Sequence, residues 1–159
     1  MLHSLYVQAA TLALALCCGL AIWKGGPAER AGALLILVTW AFTLIVSVSA
    51  DGYHPPVALY LISDAILAMG LLVLAIRYSN LWMGAAMLLQ ALGLSFHAAY
   101  FGTDSSELGV AAKRLYILGM NLASVTMLLV LLVATIIAMI KRGRAKAAAL
   151  APVAPAAAA

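Results

Sequence analysis

Residues 57–101 read VALYLISDAILAMGLLVLAIRY, then SN, then LWMGAAMLLQALGLSFHAAYF, two apolar runs joined by Ser79-Asn80. As one helix this stretch would rise about 68 Å at 1.5 Å per residue, more than twice the ~30 Å hydrocarbon thickness of a bilayer. The two runs are therefore read as an antiparallel hairpin of membrane-crossing helices, with Asn80 capping the second. Three further runs of similar length lie outside it, which gives five spans at about 2–23, 31–50, 57–77, 81–101 and 114–140.

Composition agrees with that division. Of 159 residues, 67% are hydrophobic and 9% charged, with mean hydropathy +1.13, where soluble domains are about 45–50% apolar and about 25% charged. A soluble monomer is excluded, and five spans leave no room for a separate soluble domain. The fold class expected is all-α, a five-helix transmembrane bundle occupying residues 1–142. Gly25-Gly26-Pro27-Ala28-Glu29 closes one helix and opens the next, through glycine freedom, the preset φ of proline and an acid at the helix N-terminus. Asp51-Gly52-Tyr53-His54-Pro55-Pro56 ends the second span in a similar way.

Lys and Arg counts set the expected orientation. With the N-terminus outside, Lys24, Arg30, Arg77, Lys141, Arg142, Arg144 and Lys146 fall inside, and only Lys113 and Arg114 outside. The chain is read as N-out and C-in. Lys141, Arg142, Arg144 and Lys146 are a positive-inside anchor facing anionic headgroups. Residues 143–159, basic and then Ala/Pro-rich, have no periodic face and are expected to be a disordered cytoplasmic tail. The first run has no basic n-region and is longer than a signal h-region, so it is read as a retained helix. Adjacent Cys17 and Cys18 are buried thiols without a disulfide framework.

On this orientation the polar side chains gather in the outer leaflet. Ser4, Gln8, Thr11, Ala15 and Cys18 form a helical stripe on the first span; Gln90, Gly93, His97 and Tyr100 form one on the fourth. Because unpaired polar groups in hydrocarbon cost several kcal/mol, such stripes are expected to face protein. Asp64 is the most informative residue: an aspartate at membrane depth has a partner, meets water or carries function. The readings open for it are a hydrogen-bonded packing residue, a proton or ligand site, and a shallow vestibule. His97, across the hairpin, is its expected partner, and Tyr60 lies one turn away on the same helix. Gln90, Asn121, Gln8 and Tyr100 complete the expected polar site.

Several functions drop out on residue types alone. Retinal chemistry needs a lysine within the bundle, and Lys24, Lys113, Lys141 and Lys146 all lie at span ends. Intramembrane hydrolysis lacks a paired-Asp, Ser/His or His-Glu-x-x-His arrangement, and no catalytic residue or metal set is assigned. Two cofactors suit the polar layer: haem b through His97, which would need a second ligand, or a quinone headgroup held by donors such as His97, Gln90 and Tyr100. Nucleic acid is not an expected partner.

The pattern of Asp51-Gly52, Asp64 in the third span, a short turn, Trp82, Gln90 and His97 resembles small multi-pass inner-membrane proteins of alphaproteobacteria that carry no assigned activity. The likeness covers about residues 30–142 and implies a bacterial inner (cytoplasmic) membrane location, with no transferable site. The expected function is a non-enzymatic accessory or binding subunit of a larger membrane complex, or one that self-associates. Its rival is a small proton-linked transporter or channel using Asp64. A third class, a membrane enzyme with Asp64 and His97 as acid and base, requires those side chains within about 4 Å directly, or joined through one water.

Overall fold

The computed structural model describes residues 2–49, 57–102 and 109–150, so the expected features of loop 51–56 and of 151–159 lie outside the described residues. Five helices account for almost all of it: α1 (Leu2–Lys24), α2 (Pro27–Ser49), α3 (Val57–Tyr78), α4 (Leu81–Gly102) and α5 (Val110–Leu150). Four of them, α2 to α5, are long and apolar enough to cross a membrane, and the Gln8–Lys24 part of α1 is a shorter apolar helix.

The turns follow from their residues. Gly25 N–H donates to Ala21 O at 2.8 Å, and a Cβ on Gly25 would strike that same carbonyl, so only glycine fits the end of α1. Gly26 then caps α2, Pro27 takes its first position, and Glu29 reaches back to accept the Gly26 N–H at 2.8 Å, the reciprocal half of a capping box. Between α3 and α4, Ser79 adopts φ 48°, the left-handed conformation that ends a helix, and its N–H donates to Ala75 O at 2.9 Å. Two residues thus suffice to reverse the chain.

Helices α2 and α5 start at Pro27 and Val110, earlier than the apolar runs at 31 and 114, because proline at N1 and alanines extend a helix past its hydrophobic part. At its other end α5 corrects the sequence reading. Disorder was expected from residue 143, yet the helix continues to Leu150, since Arg144, Lys146 and Ala147 to Ala149 are strong helix formers even with no face to bury. Lys141, Arg142, Arg144 and Lys146 therefore stand on an exposed helix rather than on a loose tail.

The helices pack as a closed ring. Each touches its sequence neighbours, α5 returns to touch α1, and α2 also meets α5; among the described residues no other pair is in contact. Successive helices run antiparallel, and with five of them the closing pair, α1 and α5, must run parallel. At the end formed by the α1–α2 and α3–α4 turns the interior is solid: Cys18, Ala21, Leu71, Met83, Leu131 and Thr135 are fully buried. The outer surface is the reverse of a soluble protein's, with Leu81, Leu88 and Ile76 exposed to 93%, 75% and 73%. A carboxylate pins the solid end. Glu29, buried, also accepts the Trp82 indole N–H at 3.1 Å, tying α2 to the start of α4. The six-membered ring of Trp82 abuts Gly32, where a Cβ would come within 2.5 Å of its rim.

Candidate functional site

Toward the opposite end the ring is hollow. A cavity of about 580 Å³ takes its walls from all five helices. Its floor is apolar, made by Leu14, Ile36, Leu67 and Met127, which also belong to the core beneath. Space exists partly because Gly93 has no side chain: a Cβ there would meet only the Met120 methyl, at 3.9 Å.

The polar groups occupy the other part of the wall, and they are connected. His97, 1% exposed, places Nε2 2.8 Å from Asp64 Oδ2 and Nδ1 2.9 Å from Tyr116 Oη. The three residues come from α4, α3 and α5, so the imidazole links α3 to α5, a pair with no contact of its own among the described residues. Asp64 keeps 24% of its side chain exposed, and both it and Tyr116 border the cavity. Tyr116 is held from behind by a stacked contact with Tyr100, at 4.5 Å between centroids and 26° between planes. Gln90, buried and two turns from His97 along α4, donates to the backbone carbonyl of Asp64 at 3.0 Å and fixes α3 against α4. On the α2 side, the Thr43 and Ser63 hydroxyls lie 2.9 Å apart, and Thr43 donates to Thr39 O at 3.0 Å.

Of the residues expected in a polar site, Asp64, His97, Gln90, Tyr60 and Asn121 line the cavity. Tyr100 supports it through Tyr116 without bordering it. Gln8 does not join them: it is exposed, as are Ala9 and Ala10. The inward face of α1 is Leu14, Cys18 and Ala21, and Leu14 alone carries α1 to the cavity wall, so the polar stripe read on that helix does not define a site surface. Sequence reasoning missed Tyr116, which stands near the start of the fifth span, where the rule for interfacial aromatics already accounts for a tyrosine. The available signal was its register: Tyr116, Met120, Ala123 and Met127 are spaced by four, three and four, and all four border the cavity.

Both ring nitrogens of His97 are engaged, so haem ligation would require breaking one of two buried hydrogen bonds. Among the described residues no group of three or more His, Cys, Asp or Glu could hold a metal ion. The Asp64–His97 distance does meet the condition for an acid–base pair, and acid, imidazole and hydroxyl in series is the order used by hydrolytic triads. The surrounding wall differs from a hydrolase site: it is built from helix interiors, where backbone N–H groups bond to carbonyls four residues back and are not free to stabilise an oxyanion. No known protein family, curated protein or solved structure matches the chain.

Proposed function

We propose that this protein is a non-enzymatic, five-span integral membrane protein, N-out and C-in in a bacterial inner membrane, that binds a quinone-type headgroup in the ring cavity. The observation that carries this reading is the cavity's polarity: an apolar floor and, on one part of the wall, the linked Asp64, His97 and Tyr116. Ligand pockets of about 300–1,000 Å³ that are mostly apolar with a few convergent polar groups are typical of small-molecule sites. Quinone fits better than haem because it asks for hydrogen bonds, not for an open imidazole nitrogen. The small chain and the bare apolar exterior suit an accessory or binding subunit of a larger complex, and the basic end of α5 suits contact with anionic headgroups.

The test is direct binding of a short-chain alkyl benzoquinone to the detergent-solubilised chain, read by quenching of tryptophan fluorescence. Trp40 borders the cavity, whereas Trp23 and Trp82 sit at the solid end. Gly93→Leu projects a side chain into the cavity from a position where the Cβ meets only the Met120 methyl, at 3.9 Å, so it is expected to weaken binding at least tenfold while the helical circular dichroism is kept. Equal binding by wild type and Gly93→Leu would remove the cavity from the reading.

One observation favours the rival, a proton-linked transporter: Asp64 is paired with an imidazole and borders the cavity. Against it, the side chains beneath the floor are fully buried, and the Glu29–Trp82 hydrogen bond ties α2 to α4 at that end. Asp64→Asn in proteoliposomes separates the two, because a carrier loses proton-linked flux with the neutral isostere.

A further inference from the structure

Hydrogen-bond stoichiometry at Tyr116 limits what its hydroxyl can offer a ligand. A tyrosine hydroxyl has one proton, and a neutral imidazole has one N–H. With His97 neutral and Nε2–H donating to Asp64, Nδ1 is an acceptor and takes the only Tyr116 proton. The phenol oxygen then has lone pairs alone to present to the cavity. With His97 protonated, Nδ1–H donates to Tyr116 Oη, and the Tyr116 proton is released toward the cavity. Asp64, at 2.8 Å, supplies the compensating negative charge.

A carbonyl oxygen can only accept, so it is matched by the second arrangement. A hydroxyl can donate or accept, so it is matched by either. Resting on the quinone reading above, we propose that the site couples headgroup recognition to one proton on His97. The carbonyl form of the ligand binds together with that proton, and the hydroxyl form binds without regard to it. The protonation state of a buried imidazole thereby discriminates between two ligands of nearly the same shape.

The titratable groups around His97 are few. Asp64 and Tyr60 come from α3, Tyr116 from α5 and Tyr100 from α4 itself; α1 and α2 contribute no titratable side chain to the described cavity wall. The direction of the effect follows. Carbonyl affinity is greatest at pH values where His97 is protonated and falls as pH rises, approaching about tenfold per pH unit for one linked proton. Hydroxyl affinity stays level.

The experiment measures dissociation constants of a short-chain benzoquinone and, anaerobically, its hydroquinone, across about pH 5 to 9. The expected result is a falling quinone affinity and a hydroquinone affinity constant within about twofold. Tyr116→Phe keeps the ring stacked on Tyr100 but removes the donor, and His97→Gln removes the titration; each is expected to flatten the quinone curve. Parallel curves for the two ligands, or a slope that survives in His97→Gln, would overturn the proton linkage and leave the binding reading standing. Absence of binding by either ligand at every pH would overturn the binding reading, and the linkage with it.

Discussion

His97→Leu is expected to be the most destabilising single substitution at the cavity. It removes the partner of a carboxylate and of a phenol at once, in a position only 1% exposed. Each polar group left without its hydrogen-bond partner costs about 1–3 kcal/mol. The partial exposure of Asp64 to the cavity, 24%, lets some water reach its carboxyl group, so a combined loss of about 3 kcal/mol is expected. Asp64→Asn is the informative contrast. The amide oxygen can still accept from Nε2–H and leaves no charge behind, so its cost should be nearer about 1 kcal/mol, the scale of an ordinary hydrogen bond. Denaturant titration of the two variants in mixed micelles measures both; equal midpoints would show that the pair contributes no more than packing.

Glu29→Leu is expected to have a comparable effect at the opposite end, through two orphaned donors. The Gly26 N–H and the Trp82 indole N–H both rely on this carboxylate, at 2.8 and 3.1 Å. Each buried donor left unmade costs about 1–3 kcal/mol, so a combined loss of about 3 kcal/mol is expected. Removal of Glu29 thus loosens the start of α2 and of α4 together. Faster backbone hydrogen exchange at the start of both α2 and α4 would report it. A loss confined to α2 would show that Glu29 acts as a helix cap and nothing more.

These two carboxylates were unequally legible in the sequence. Asp64 announced itself because an acid in the middle of VALYLISDAILAMG has few reasons to be there, and hairpin geometry alone pointed to His97. Glu29 was read for its helix-terminal position, which is borne out, but its link to Trp82 spans fifty-three residues and depends on how two turns stack. Periodicity gives the face of a helix and not the identity of the side chain opposite. Tyr116 was lost for a related reason: a tyrosine near a span end satisfies the rule for interfacial aromatics, and that sufficient explanation hid its register with Met120, Ala123 and Met127. The Gln8 stripe failed differently. A stripe shows which side of a helix differs from the rest, but packing against neighbours decides whether a given turn of that stripe is covered, and the turn at Gln8 is exposed. The helix of α5 past residue 142 was missed because hydrophobic periodicity, the signal used, is silent where alanine and lysine hold a helix by backbone preference alone.

The parallel seam between α1 and α5 has a consequence for how the molecule comes into being. A ring closed by its first and fifth helices has no inside until the fifth arrives. A nascent chain carrying only α1 to α4 is an open trough in which His97 has met Asp64 but not Tyr116 and the cavity lacks a wall. The cavity is therefore not a hollow in one supersecondary unit but a product of the whole ring, complete only when the α1–α5 seam closes.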